Sequence, residues 1–519
     1  MMTHFGVVAI VIGLMLFIAH ASSDTFASLR QAGAELSPAV RSTIFLAVLV
    51  GFASKAGAVP LHAWLPRAHP EAPSQVSALM SAAMVNLGVY GIVRVGFDLL
   101  GGGPRWWWLL VLVVGAVSAV YGILQAAMTS DLKRLLGYST TENLGLVLIG
   151  VGAAGVFASA GAHVLAGLAL TAALLHVINH AAFKTLLFLS AGSVLHATGL
   201  RDLDGLGGLR ARMPVTTGLF AVGALAASAL PLGNAFVSEW LLLQSLVHGL
   251  PVSGVATAIT MPAAVAVVAL TAGLAVATFV KAFGIGFLAR PRSSAAERAT
   301  ESPVSMRVGM GLAALACVAL AVVPAMVMPG LARAAGAADS MLGEPAVRGA
   351  VTLRLAGFAG SLSPLLVTAA LLVGVAAVVA GLRLATVRRT RHGRLTHRAR
   401  PTRRDARLWD CGAGPLTARM EYTATSFAEP LQRVFDDVLE PEQDVDVTHL
   451  QESRYLVDSI EYRRRVPDRI ERRLYQPLLA FARAWGQAGR QLATGSVHRY
   501  LGYGFYAVAG LLVVLAVTR

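Results

Sequence analysis

Three ionisable residues recur at intervals of four in LLHVINHAAFKTLLFL, namely His176, His180 and Lys184. On an α-helix each step of four turns about 40° and rises ~6 Å, so these side chains form one polar stripe ~12 Å long in an otherwise apolar run. Such a stripe can pass protons from group to group. Two other readings stay open. One is a polar contact between helices, satisfied within the protein. The other is a metal site, since His at i and i+4 can share a zinc ion, although no HExxH glutamate is present and a lysine follows. Lys55, in GFASKAGAVPLHAWLP, and Glu239, in NAFVSEWLLL, lie at comparable depth in two further apolar runs, each close to a proline-containing interruption. A charge at the centre of a bilayer costs at least ~2.5 kcal/mol on insertion scales, so each is a functional residue unless its side chain snorkels to an interface. Lys281, in ATFVKAFGIGFL, and Glu142, after Asp131-Leu132-Lys133-Arg134, extend the set. His62, His69 and Asp98 fall near the ends of apolar runs, where solvation is expected, and His62 could also belong to a path leading inward. Proton translocation is the chemistry these groups suggest, and it needs no cofactor. Cys317 lies in an apolar run and Cys411 in a polar one, which leaves neither a disulfide framework nor a Cys-based metal or iron–sulfur site. Any redox cofactor therefore belongs to another chain.

The elements that must position these residues are membrane helices. Of the 519 residues 56% are hydrophobic and 14% charged, against roughly 45–50% and about 25% in soluble domains. Apolar runs near the ~20 residues that cross ~30 Å of hydrocarbon recur along the chain, and alternating barrel strands are absent. A soluble enzyme and an outer-membrane barrel are both excluded. Spans are expected near residues 3–20, 41–60, 75–98, 106–128, 135–157, 162–197, 214–248, 263–289, 306–330, 363–385 and 500–517. The fold class is thus all-α, a polytopic membrane protein of about eleven transmembrane helices. Residues 214–248 are long for one crossing and are interrupted by Pro231, Gly233 and Asn234. Counting them as one broken span puts most short-loop Lys and Arg, including Arg67, Lys133, Arg134, Arg201, Arg290 and Arg292, on the side of the Arg-rich segment after Leu384. By the positive-inside rule that side is cytoplasmic, the N-terminus with it, and Arg519 is periplasmic. The start lacks a basic n-region and a small-residue cleavage site, so the first run reads as a real span rather than a signal peptide. The net charge of +15 points to cytoplasmic loops and anionic lipid of the bilayer rather than to nucleic acid. Residues 386–499 have too few apolar residues for a large core and are expected to form an amphipathic helix or extended arm on a complex, or a solvated linker.

A weak repeat links Ala58-Val59-Pro60-Leu61 with Ala229-Leu230-Pro231-Leu232, five spans apart. An odd separation inverts the second unit. Inverted repeats with helices broken at matching places mark midplane ion sites in transporters, because a break exposes backbone groups inside the protein. A proline kink that improves packing is the plainer reading.

Four stretches, SKAGAVPLHAWLPRAHPEAPSQVSALMSAAM, DLKRLLGYSTTENLG, HVINHAAFKTLLFLSAGSV and LPLGNAFVSEWLLLQSL, together resemble the antiporter-like, proton-pumping membrane subunits of complex I, Mrp antiporters and membrane-bound hydrogenases. They cover about residues 40–290. The tail, with RLWDCGAGPLTARMEYTATSFAEPLQRVF and an isolated last span, looks most like the large membrane subunit of hydrogenase 4 and formate hydrogenlyase. The resemblance implies that Lys55 is the broken-helix lysine of a first half-channel, Lys184 the central lysine of a second, and Glu239 its terminal residue, with His176 and His180 as relays. It divides the chain into a remnant of a first repeat (1–100), a second repeat (101–290), additional helices (291–385), a cytoplasmic polar segment (386–499) and a C-terminal span (500–519). Two departures stand out. Asn86 replaces a lysine common in the helix after the PLHAWLP break, and the chain starts where the family is already several helices along, so the first half-channel is expected to be incomplete. A start codon placed too far downstream, or a truncated or split gene, would account for that. The function implied is a proton-translocating subunit of a multisubunit oxidoreductase in a bacterial cytoplasmic membrane. Its partners would be other membrane and peripheral subunits, and its cargo protons or sodium ions. An Mrp-type cation/proton antiporter subunit and a non-conducting scaffold are the alternatives.

Overall fold

The computed structural model describes residues 2–288, 290–392, 417–449 and 457–518. Cys411 and the arginines at 394, 398, 400, 403, 404 and 407 lie outside the described residues. The chain divides into two compact units, Met1–Asp436 and Asp437–Arg519.

The first unit is built from α1 (Met2–Ile18), α2 (Phe26–Glu35), α3 (Pro38–Ala56), α4 (Ser74–Leu99), α5 (Arg105–Met128), α6 (Leu132–Ser159) and α7 (His163–Thr198). There follow α8 (Pro214–Ala226), α9 (Asn234–His248), α10 (Val255–Leu288), α11 (Val304–Val322), α12 (Met328–Ala338), α13 (Pro364–His392) and α14 (Ala424–Val434). The helix ends follow local chemistry. Ser37 accepts the Val40 amide at the start of α3, and Asp131 accepts the Arg134 amide at the start of α6. Gly57 and Gly199, both with positive φ, end α3 and α7.

Nine helices among the described residues, the last of them in the second unit, are long and apolar enough to cross a membrane. The two remaining expected spans differ: α1 has 17 residues, and 214–248 is the interrupted pair α8 and α9. The span expected over 306–330 stops at Val322, because Pro324 opens a 3-10 turn that leads into the separate helix α12.

Both matching tetrapeptides are non-helical. Residues 57–64 lead away from α3, with the Val59 amide donating to Ser118 Oγ at 2.9 Å, and residues 227–233 separate α8 from α9. Ala229 (φ 52°) and Leu232 (φ 86°) hold left-handed backbone that side chains disfavour. Such residues persist only where surrounding structure enforces them.

At the centre α5 and α6 run backbone to backbone. A Cβ on Gly122 would lie 2.6 Å from the Glu142 amide nitrogen, and one on Gly145 would lie 2.4 Å from that of Ala119. Small residues make this approach possible in a membrane, where close packing replaces the hydrophobic drive. Nearly all of α6 is enclosed, whereas residues 365–384 of α13 include no buried residue.

The loops sort to two ends. Asp131 forms a bridge with Asp202, the Leu203 amide donates to the Ser130 carbonyl at 3.0 Å, and Ser293 Oγ donates to the Gly205 carbonyl at 2.7 Å. The loops after α5, α7 and α10 therefore share one end of the bundle. Because α10 crosses once between the last two of these loops, α8 and α9 together cross once as well. The start of α14 is fastened at this end, with Thr425 Oγ1 donating to Asp204 at 2.7 Å and Arg290 paired with Glu421 at 3.3 Å. At the other end β1 (Val347–Arg348), β2 (Leu353–Leu355) and β3 (Ser361–Leu362) form a small antiparallel sheet, and Arg348 shares a pocket with His163 at the start of α7.

The second unit contains an antiparallel hairpin, β4 (Glu442–His449) and β5 (Val457–Arg465), then α15 (Gln476–Leu492) and α16 (Val497–Thr518). Glu442 is registered opposite Arg465. Helix α15 exposes Leu478, Phe481 and Trp485 along one face, and none of α16 is buried. The polar region thus includes an amphipathic helix, as expected, together with a hairpin that its composition did not announce.

Candidate functional site

Four of the seven residues singled out in the sequence meet where α6, α7 and α9 face one another, and Glu239 joins them from α9. Lys184, His180 and His176 line one face of α7 and are all buried. Lys184 Nζ donates to the Leu136 carbonyl of α6 at 3.0 Å. Glu142, one helix away on α6, is buried and interacts with Lys184 through space. One carboxylate oxygen of Glu142 accepts Ser139 Oγ at 3.0 Å and Asn143 Nδ2 at 2.7 Å.

His176 is held from both sides. Nε2 meets Asn143 Oδ1 of α6 at 3.0 Å, and Nδ1 meets Ser238 Oγ of α9 at 2.9 Å. Ser238 also receives Asn179 Nδ2 at 3.0 Å and approaches the Ala235 carbonyl at 3.0 Å. Asn179 and Asn234 each donate to the other's main-chain carbonyl, at 2.8 and 3.2 Å, and so fix the start of α9 against the middle of α7. Glu239, next to Ser238 on α9, is buried. His180 is fully buried with its ring edge-on to Phe183, and neither ring nitrogen has a hydrogen-bond partner.

The arrangement is a set of titratable groups buried in one apolar bundle, of which Glu142 and His176 are joined through the Asn143 amide. Such groups are retained there for ion or proton transfer, since each is expensive to bury. Among the described residues no cluster of three or more His, Cys, Asp or Glu is placed to hold a metal ion.

Two sequence candidates lie elsewhere. Lys281 is buried, but its ammonium donates to the carbonyls of Ala127 and of Thr129, the latter at 2.8 Å. It caps the C-terminal end of α5, where exposed carbonyls attract a cation. Lys55 sits in the last turn of α3, half-buried rather than enclosed, and stands outside the hydrogen-bonded set.

Three residues expected to be solvated are not. His69 is fully buried with its ring stacked on Phe188 of α7, centroids 4.6 Å apart, and neither of its nitrogens has a hydrogen-bond partner. Phe188 follows Lys184 by one helical turn, so this stack sets His69 beside the Lys184 end of the stripe. His62 is enclosed edge-on to Tyr121, 5.4 Å between centroids. Asp98 is bound by two arginines, Arg30 and Arg94, at 2.5 and 2.6 Å. Lys133, counted among loop charges, is buried and donates to the Ala72 carbonyl. Asn143, Asn179 and Ser238 were overlooked for a simple reason: neutral amides and hydroxyls draw no attention singly. The available signal was adjacency, because each neighbours an ionisable residue, in Glu142-Asn143, Asn179-His180 and Ser238-Glu239.

The family model described as NADH:quinone oxidoreductase/Mrp antiporter, TM, matches residues 1–263. The chain belongs to this family. An uncharacterized protein of Mycobacterium tuberculosis is 55% identical to this family member over 518 residues, 100% of the chain and 78% of the relative. Hydrogenase-4 component B of Escherichia coli is 37% identical, over 99% of the chain and 75% of the relative. In fold, the chain resembles one from an archaeal membrane-bound sulfane sulfur reductase with a TM-score of 0.71 at 22% identity, over 99% of this chain and 75% of that one. In this family member Asn86 follows a π-helical turn, Met80–Met84, and its side-chain amide donates to the Ala82 carbonyl at 2.8 Å. A neutral amide there carries no exchangeable charge.

Proposed function

We propose that this chain is a proton-translocating membrane subunit of a multisubunit oxidoreductase of the hydrogenase type, holding no redox centre of its own. The observation that carries the reading is the buried axis from His69 and Lys184 past Glu142, His180 and His176 to Glu239, gathered from separate elements into one apolar interior. Electron transfer in partner subunits would alter the field at one end of the axis, and protons would step along Lys184, the histidines and Glu239. Glu142 balances the lysine's charge, and Lys281 holds the end of α5 in place. Residues 101–290 form one repeat and residues 1–100 belong to another, with Lys55 as its lysine. Helices over 291–385, the polar segment 386–499 and the last span 500–519 complete the organisation.

The end of the bundle bearing Lys133, Arg134, Arg201, Arg290 and Arg292 faces the cytoplasm in this reading, and the Arg-rich segment lies on that side. Helix α15, with Leu478, Phe481 and Trp485 on one face and only four residues before the last span, rests at the lipid surface of a bacterial inner membrane.

The test uses vesicles containing the assembled complex, energised by its redox substrate and read with a pH-sensitive dye. Lys184→Ala and Glu239→Gln each remove one titrating site and are expected to abolish most proton movement while assembly persists. Wild-type pumping in both variants sinks the relay. Acidification driven by a sodium gradient in the absence of redox substrate assigns the axis to an antiporter instead.

A further inference from the structure

His176 has donor and acceptor neighbours that determine where its mobile proton sits. Asn143 Nδ2 spends its two hydrogens on the Ser139 carbonyl (2.7 Å) and the Glu142 carboxylate (2.7 Å), so Asn143 Oδ1 must be the atom facing His176 Nε2. An amide oxygen only accepts, which makes Nε2 a permanent N–H donor. On the other side Ser238 Oγ has one hydrogen and two lone pairs. One lone pair receives Asn179 Nδ2, whose other hydrogen is committed to the Asn234 carbonyl. The hydroxyl hydrogen then has two acceptors within reach, the Ala235 carbonyl at 3.0 Å and, when it is unprotonated, His176 Nδ1 at 2.9 Å.

We infer that Ser238 and Asn143 are positioning residues that confine proton exchange on His176 to Nδ1, with the Ser238 hydroxyl turning between two acceptors as that proton comes and goes. When His176 is neutral, Ser238 donates to Nδ1. When a protonated neighbour on the axis delivers its proton to the free lone pair of Ser238 Oγ, the bond to that proton breaks on the donor and forms on Oγ, while the hydroxyl's original hydrogen leaves Oγ and forms a new N–H bond at Nδ1. The imidazole becomes imidazolium, and the renewed Ser238 O–H bond points to the Ala235 carbonyl. Loss of the proton to the next acceptor reverses each step. Both states leave every hydrogen of His176, Ser238 and Asn143 bonded, so neither leaves a buried donor orphaned. The side of the ring facing Asn143 is closed to exchange, because an amide oxygen does not hand a proton on.

This deepens the proposed function and rests on it for the direction of transport, but the tautomer does not. The complex, carrying 15N-labelled histidine and reconstituted in vesicles, would be compared by solid-state NMR with its His176→Gln variant to isolate the His176 signals. Neutral His176 is expected as the Nε2–H tautomer alone, and Asn143→Leu is expected to add the Nδ1–H tautomer. Ser238→Ala should slow proton movement by roughly tenfold, the worth of about one buried hydrogen bond, and Ser238→Thr, which keeps the hydroxyl, should restore it. A neutral wild-type His176 protonated at Nδ1 overturns the inference, and so does Ser238→Ala pumping at the wild-type rate. Vesicles that show the expected tautomers and no wild-type pumping would count against the proposed function and leave the positioning intact.

Discussion

Glu301 shows how a single side chain joins helices outside the apolar interior. One of its carboxylate oxygens accepts the Val215 amide at 2.8 Å and the Thr216 amide at 3.3 Å, and the other accepts the Thr216 hydroxyl and the Ser302 amide, the latter at 3.2 Å. It thus serves as a cap for α8, supplied from the start of α11. Burial alone would raise its pKa, but the hydrogen bonds outweigh burial and hold it below the ordinary carboxylate value of 4.5. A carboxyl with a depressed folded pKa contributes stability that is fully present above the unfolded value and is lost as pH falls through the folded one. Glu301→Gln is therefore expected to destabilise the purified protein at pH 7 by about 1 kcal/mol, as for loss of a helix cap. The gap between variant and wild type should close below the ordinary carboxylate range. Thermal unfolding at pH 7 and at a pH well below 4.5 checks this, and a gap unchanged by that acidification contradicts it.

Among elements, the seam between α5 and α6 matters most for the axis, because Gly122 abuts the backbone of Glu142 itself. Gly122→Val inserts a branched side chain where even a Cβ is too close, and overpacking of this kind costs roughly 1–3 kcal/mol or more. The expected result is a complex that assembles in reduced yield and pumps poorly, measured as protons moved per turnover. Unchanged pumping would mean that the seam does not position Glu142. Periodicity and proline made the spans legible, and the two tetrapeptide breaks were found because proline interrupts apolar runs visibly. The hydrogen-bonded framework was harder to read. His176 and Lys184 stood out as charges in an apolar run, but their partners Asn143, Ser238 and the Leu136 carbonyl belong to other helices, and only tertiary packing selects them. The same limit explains Lys281, which one helix reads as an intramembrane charge and two helices read as a cap.

For the whole molecule, the contact between the 203–205 turn and Ser293 decides how many times residues 214–248 cross. Single cysteines in a background lacking Cys317 and Cys411 test it with an impermeant reagent on intact cells. Positions 210 and 298, both exposed at the shared end, are expected to label only after lysis, while position 354 of the small sheet should label from outside. Opposite accessibility for 210 and 298 would show that α8 and α9 cross separately.

The glycine seam also determines which part of the bundle is able to move. At Gly122 and Gly145 the two helices meet backbone to backbone with no side chain between them to re-orient, so there α5 and α6 act as one stiff beam, and Glu142 rides on it. Relative displacement of the acid and the lysine then falls to α7. A twist of about 20° about its axis carries a side-chain tip ~6 Å out through ~2 Å. That distance is enough to part Lys184 from the Leu136 carbonyl, now 3.0 Å away, and the bonds that tie α7 to α6 and α9 at His176 and Asn179 would have to take it up.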